Sequence, residues 1–319
     1  MTTVLTADRC VYGPVPSRRL GRSLGIDLVP FKTCTYDCVY CQLGYTTDKT
    51  VSRRRWVDAA AVVTEVRDKL ASEPDIITIA GSGEPTLHDG IGEVIAGIKS
   101  LTETPVAVLT NGSLLGLRAV QRDLRAADIV IPSLDAPDED LFELVNRPHA
   151  TLRFAEVVEG MAAFREQYHG QVWLEVMLLG GVTGLASKVA RLATVAGRIA
   201  PDRIQLNTVA RPPAEHFAEA VPADRLIEFA AAFTPHAEVI ASNAPAGRGA
   251  GGGGAEVLTL LERRPCTTGD VAAGLGIHRN EALKALSALV ASGAAEQATH
   301  DGLLFYRAVA SHDSSEEEQ

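Results

Sequence analysis

The sequence predicts an α/β protein: a partial parallel (β/α)6 barrel followed by a smaller second domain. Three observations predict it. Short apolar segments alternate with amphipathic segments of helical period. A glycine-rich run, APAGRGAGGGGA at 244–255, interrupts that alternation once. The length, 319 residues, suits roughly two domains.

The first strand is LGIDLV (24–29), followed by a helix over 57–72. DIITIAG (75–81) is the second strand and IGEVIAGIKSL (91–101) the next helix. VAVLTNG (106–112), a helix over 117–127 and DIVIPSLD (128–135) continue the pattern. A helix over 151–168, the strand VWLEVMLLGG (172–181), a helix over 185–199 and the strand RIQLNTV (203–209) follow. A helix over 223–233 and the strand AEVIAS (237–242) close it. Strands that alternate with helices imply right-handed βαβ units and a parallel sheet. Apolar character along whole strands is what a sheet covered on both faces requires. About six units are present, against the eight of a complete barrel.

The second domain spans 255–310, after a Gly/Ala linker at 244–254. It reads as a helix, a short helix near 268–274, a glycine turn, a longer helix over 279–292 and a hairpin around His300, Asp301 and Gly302. That order resembles a winged helix-turn-helix. The remaining segment, 311–319, is acidic and expected to be disordered.

Composition narrows the function. Hydrophobic residues are 46% and charged residues 22%, as in an ordinary globular protein. No run of about 18 apolar residues exists, and the N-terminus lacks an apolar signal core, so a cytoplasmic protein without a membrane span is expected. A net charge of −10 argues against a protein that coats nucleic acid.

Three of the five cysteines fall in CTYDCVYC (34–41), so a disulfide framework is not the natural reading. Structural zinc would need a fourth ligand, and no second Cys/His pair lies at suitable spacing. A thioredoxin-like pair at Cys38 and Cys41 would leave Cys34 unexplained. Chance clustering is the third alternative. The sharper reading is a [4Fe–4S] cluster held by Cys34, Cys38 and Cys41, with its fourth iron open to another ligand.

This C-x3-C-x2-C spacing resembles that of the radical S-adenosylmethionine (SAM) superfamily. The resemblance covers about residues 10–245 and implies that SAM binds the open iron. Reductive cleavage would then give a 5′-deoxyadenosyl radical that abstracts a substrate hydrogen, with flavodoxin or ferredoxin as electron donor. Tyr40 occupies the position that packs on the adenine in relatives. Gly81, Ser82, Gly83 and Glu84 resemble the glycine-rich segment that meets the SAM amino group. Thr110 and Asn111 end the third strand, Ser133 and Asp135 the fourth, and Asn207 the sixth; all suit ribose or methionine contacts. Arg147 is a candidate for the SAM carboxylate. The carboxyl ends of consecutive strands are where α/β barrels carry their sites. Each piece also has a plainer reading: GSGEP and TNG are common turns, Asp135 or Asp138 suits a helix N-cap, and Glu175 suits a solvent-facing strand position.

The run GPVPSRRLGRSLGIDLVPFKTCTYDCVYCQLG resembles a group of radical SAM oxidoreductases related to wyosine-base synthases and, more distantly, to the molybdopterin-precursor cyclase. Those enzymes carry a second cluster. Here Cys10 and Cys266 stand alone, so one cluster is expected and both read as ordinary buried residues. Ser17, Arg18, Arg19 and Arg22 are candidates for an anionic substrate or the SAM carboxylate, or else form a solvated basic turn. Arg53, Arg54 and Arg55 read as a solvated face, with phosphate contact as the alternative. Arg211, Pro212 and Pro213 form a rigid loop at the substrate mouth. In the second domain Arg279, Asn280 and Lys284 begin the longer helix. However, residues 255–310 hold five Lys/Arg against six Asp/Glu, which favours a protein-interaction or substrate-presenting module over duplex binding. The leading expectation is an enzyme acting on a small molecule, an RNA nucleoside or a peptide. The competing one is an iron–sulfur-dependent transcriptional regulator.

Overall fold

A computed structural model of the chain describes residues 10–240 and 254–309. The expected linker, apart from Gly254, and the acidic tail at 311–319 lie outside the described residues. Two compact units divide the chain, Met1–Asn243 and Ala244–Gln319.

The first unit opens with a hairpin, β1 (Val11–Ser17) and β2 (Gly21–Ile26), paired antiparallel. Two short strands, β3 (Thr33–Cys34) and β4 (Asp48–Lys49), pair in parallel on either side of the cysteine loop. Then come α1 (Ala59–Lys69), β5 (Ile76–Ile79), α2 (Ile91–Leu101), β6 (Val106–Thr110), α3 (Arg118–Asp123) and β7 (Ile129–Pro132). Next are α4 (Glu139–Asn146), α5 (Phe154–Gln167), β8 (Gln171–Gly180), α6 (Ala186–Ile199) and β9 (Arg203–Thr208). β10 (Glu219–Ala220), α7 (Ala223–Ala230) and β11 (Glu238–Val239) complete the unit. The main sheet runs β1-β2-β5-β6-β7-β8-β9-β11, with β10 on β8. From β2 to β11 every neighbouring pair on that path is parallel.

Two departures from the sequence reading matter. Val11–Ser17 form a strand, although Gly13, Pro14 and Pro16 disguise it. As an edge strand β1 tolerates prolines that a central strand would not. The first parallel strand also starts earlier than Leu24, at Gly21, whose φ of 69° turns the hairpin. The last strand pairs over Glu238–Val239; residues 241 and 242 of the expected segment lie outside the described residues.

Strand residues alternate between two faces with period two. Leu24, Ile26, Ile77, Ile79, Val106, Val108, Leu174, Val176, Ile204 and Leu206 pack with the helices in one large core. The helices meet them with periodic stripes: Val62 and Val66 of α1, Ile91, Val94, Ile95 and Ile98 of α2, and Val189, Leu192 and Ala196 of α6. On the other face Leu20, Ile76, Ala107, Ile131 and Trp173 form a separate apolar cluster. Leu20 comes from the β1–β2 turn, yet it shares this cluster with Trp173 of β8. Arg18 and Arg19 of the same turn bond to Asn207 and Gln205 of β9. In a flat sheet, five strand spacings from β2 to β9 would be about 24 Å, far beyond an arginine's reach. The sheet therefore curls.

In the second unit α8 (Gly254–Arg263), α9 (Thr268–Leu275) and α10 (Arg279–Ala291) precede the antiparallel hairpin β12 (Ala295–His300) and β13 (Leu303–Ala308). Capping boxes start both later helices, Thr267 with Asp270 and His278 with Glu281. The two-residue loop Asp301–Gly302 has φ of 48° and 73°, the left-handed pair a tight hairpin needs. No described helix is long and apolar enough to cross a membrane.

Candidate active site

The cysteine loop is built against the end of α4. Asp37 and Val39 donate their N–H groups to the carbonyls of Asn146 (2.9 Å) and Val145 (3.0 Å). Carbonyls in a last helical turn have no partner inside the helix, so the loop and the helix end satisfy each other. Tyr36 fixes the loop from below, its buried ring edge-on to Phe142 with centroids 5.3 Å apart. Asp37 Oδ1 accepts from Thr46 N (2.7 Å), and Cys34 O from Thr50 N (3.0 Å).

The segment Gly81–Glu84, leaving β5, lies directly on the start of this loop. Lys32 N donates to Ser82 O (2.7 Å) and Glu84 N to Thr33 O (3.0 Å). Asp27, at the end of β2, accepts from both the N–H and the hydroxyl of Ser82. Gly83 is required by this approach: a Cβ there would stand 1.9 Å from Thr33 O. Glu84 is buried. Its carboxylate accepts from Thr86 N, Thr86 Oγ1, Thr110 Oγ1 and Asn111 N at 2.6–3.0 Å. Burial raises its carboxyl against the lowering pull of those hydrogen bonds.

Each of the three sulfurs meets one side-chain N–H donor, and each of these donors comes from a different segment. Asn111 Nδ2, after β6, is 3.5 Å from Cys34 Sγ, and Asn146 Nδ2, ending α4, is 3.5 Å from Cys38 Sγ. Lys32 Nζ is 3.1 Å from Cys41 Sγ. Asn111 also holds Thr35 Oγ1 at 2.7 Å.

Asp135, beyond β7, accepts from Tyr40 OH, from Asn146 Nδ2 (2.8 Å) and from Met177 N (3.2 Å). Burial pushes its carboxyl up to about 6, with those three donors pulling the other way. Burial, then the Asp135 charge, raises the Tyr40 phenol well above its ordinary range. Ser133 bridges to Glu175 of β8.

Further along β8 and β9 lies a second polar group. Glu175 is ion-paired with Arg19 and accepts from Asn207 Nδ2 (2.9 Å). Only 17% of its side chain is exposed, so the solvent-facing reading fails: position 175 shares the inner face with Trp173. Burial pushes this carboxyl up, but the Arg19 charge and the Asn207 and Arg19 hydrogen bonds outweigh it and hold it low. Arg147 is committed elsewhere, to Glu215 at 2.7 Å. Arg53 is no solvated cation either; it binds Thr86 O, His88 O and Asp123. Arg22 holds Glu73 O and Ser72 O, and Arg211 meets Gln42 at 3.5 Å. Cys266 is buried in the second unit, backbone-paired with Tyr306.

Lys32 and Asp27 were missed in the sequence. Their signal was available: a lone acid inside an apolar strand, and a lone lysine two residues before the first cysteine.

A model of the family described as the Radical SAM superfamily matches residues 28–191. The chain belongs to the radical SAM superfamily. A "GTPase Obg" from Brachyspira hyodysenteriae is 34% identical over 303 residues, covering 93% of this chain and 45% of that protein. The chain thus spans less than half of that relative. A UPF0026 protein from Synechocystis sp. is 36% identical over 208 residues, covering 65% of this chain and 78% of that protein. The solved structure of a radical SAM methyltransferase from Sphaerobacter thermophilus aligns with a TM-score of 0.52 at 18% identity, over 68% of this chain and 65% of that one. That likeness speaks for the fold alone.

Radical SAM proteins use a [4Fe–4S] cluster and S-adenosylmethionine. The donor set here fits the cluster. Burial, then the Glu84 charge, pushes the Cys34 thiol up to about 12. Burial, the Asp135 charge and the other two thiols push Cys38 well above its ordinary range. Thiols ligate only as thiolates, and anions formed at Cys34 and Cys38 in so desolvated a setting call for a cationic group beside them.

Proposed function

We propose that this chain is a radical SAM enzyme with one cluster, held by Cys34, Cys38 and Cys41 in a six-stranded partial barrel. The observation that carries the reading is the convergence of three half-buried thiols, each met by a side-chain N–H donor, at the carboxyl ends of parallel strands. When bound, the cluster and SAM supply a 5′-deoxyadenosyl radical, which takes a hydrogen atom from the substrate.

The chain's own residues prepare that chemistry. Tyr40, Asp135 and Asn146 form a fixed polar wall beside Cys38, suited to a nucleoside's hydroxyl groups. Glu84, Thr110 and Asn111 lock two strand ends together, and Gly81–Glu84 offers backbone groups to the methionine half. Ser133 and Asn207 extend the polar lining. The apolar cluster of Leu20 and Trp173 keeps water from the other side of the site. Arg147 contributes by holding the loop to Glu215. Flavodoxin or ferredoxin supplies the electron in a cytoplasmic setting, and the substrate is a small molecule, an RNA nucleoside or a peptide.

The second unit has the element order of a winged helix. Its five basic and six acidic residues over 255–310 support docking of a protein or substrate over a duplex-binding, regulatory role.

The test is anaerobic reconstitution with iron and sulfide, then incubation with SAM and dithionite. Formation of 5′-deoxyadenosine above that of a Cys38→Ala variant supports the reading; equality of the two removes it.

A further inference from the structure

Lys32 has an unusual conformation for its residue type. Its φ is 57°, in the left-handed region that a long side chain seldom adopts. Three backbone bonds impose it: Lys32 N to Ser82 O at 2.7 Å, and Thr47 N (3.1 Å) and Asp48 N (3.2 Å) to Lys32 O. A strained residue so firmly over-determined is held for what its side chain does. That side chain is buried, with the whole residue 3% exposed. Taking an ammonium out of water is costly unless it meets an acceptor. Its acceptor is Cys41 Sγ at 3.1 Å, shorter than the 3.5 Å contacts of Asn111 and Asn146 with the other two sulfurs. It is also the one cationic donor of the three.

We infer that Lys32 is a positioning residue that sets the electron affinity of the cluster through Cys41. The inference rests on the proposed cluster ligation. Adding one electron makes the cluster and its thiolates more negative, while every Fe–S bond remains. A cation donating to a ligand sulfur stabilises that more negative state, and hydrogen bonds to cluster sulfurs are an established lever on potential. Lys32 therefore makes reduction easier, where a neutral side chain would leave the cluster harder to reduce.

The experiment is an anaerobic dithionite titration of the reconstituted full chain, followed by electron paramagnetic resonance of the reduced cluster. Lys32→Gln keeps an N–H donor without the charge, and Lys32→Ala removes both. At a fixed applied potential the reduced-to-oxidised ratio falls about tenfold in Lys32→Ala, equivalent to about 59 mV for one electron. Lys32→Gln falls less, Lys32→Arg recovers most of the ratio, and Lys49→Ala, at the exposed lysine of β4, does not move it. If Lys32→Ala and Lys32→Gln both titrate with the wild type, the inference is overturned. It is equally overturned if Lys32→Arg shifts as far as Lys32→Ala, because only packing would then be at stake. Iron and sulfide content, measured first, separates the two readings. A wild type that binds no more iron than Cys38→Ala removes the ligation itself; full loading with an unmoved potential removes only the role of Lys32.

Discussion

Asn146 joins Asp135 to Cys38: its Nδ2 lies 2.8 Å from Asp135 Oδ2 and 3.5 Å from Cys38 Sγ. One amide thus orients both a buried acid and a cluster ligand. Replacing it with leucine leaves Asp135 short of one donor in a buried setting. That costs about 1–3 kcal/mol of stability, read as a lower urea midpoint, and lowers iron content after reconstitution.

Gly83→Ala would place a methyl group 1.9 Å from where Thr33 O now stands. Backbone has to move, and the backbone in question carries Cys34. The expected loss is about 1–3 kcal/mol or more, together with a fall in cluster occupancy. Thermal denaturation and iron analysis check the two effects separately.

Glu175 carries a pH signature. Its folded pKa is held below the ordinary carboxylate value, with Arg19 and Asn207 outweighing burial. A depressed acid adds stability above its unfolded pKa of about 4.3, and that stability drains away as pH falls through the folded value. Denaturation midpoints from pH 6 down to pH 3 therefore decline in the wild type. In Glu175→Gln that decline is shallower, and stability near pH 7 is lower by about 1.5–3 kcal/mol because Arg19 loses the charged acceptor it is paired with.

Ile95→Ala in α2 removes a side chain that is fully buried in the main core. The expected cost is about 2–5 kcal/mol, with no change in the number of irons bound per folded molecule. Urea denaturation beside iron analysis checks it.

The parallel strands were legible because their cores, such as Ile76–Ile79 and Val106–Thr110, are apolar along their length and end in glycine or polar turns. The cysteine loop was legible from spacing. β1 was not, because its prolines obscure an edge strand that needs few donors. The ties of Glu84 and Glu175 were hidden for another reason. Each depends on a partner brought near by strand order: Glu84 meets Thr110 and Asn111, 26 and 27 residues away, through β6, and Arg19, the ion-pair partner of Glu175, also reaches Gln205 across 186 residues. No local pattern carries such contacts.

The bonds from Asp37 and Val39 to the end of α4 have a further consequence. They make the helix terminus and the chain between Cys34 and Cys41 one mechanical unit, so a change that frays the last turn of α4 is passed by backbone directly to the spacing of the three thiols.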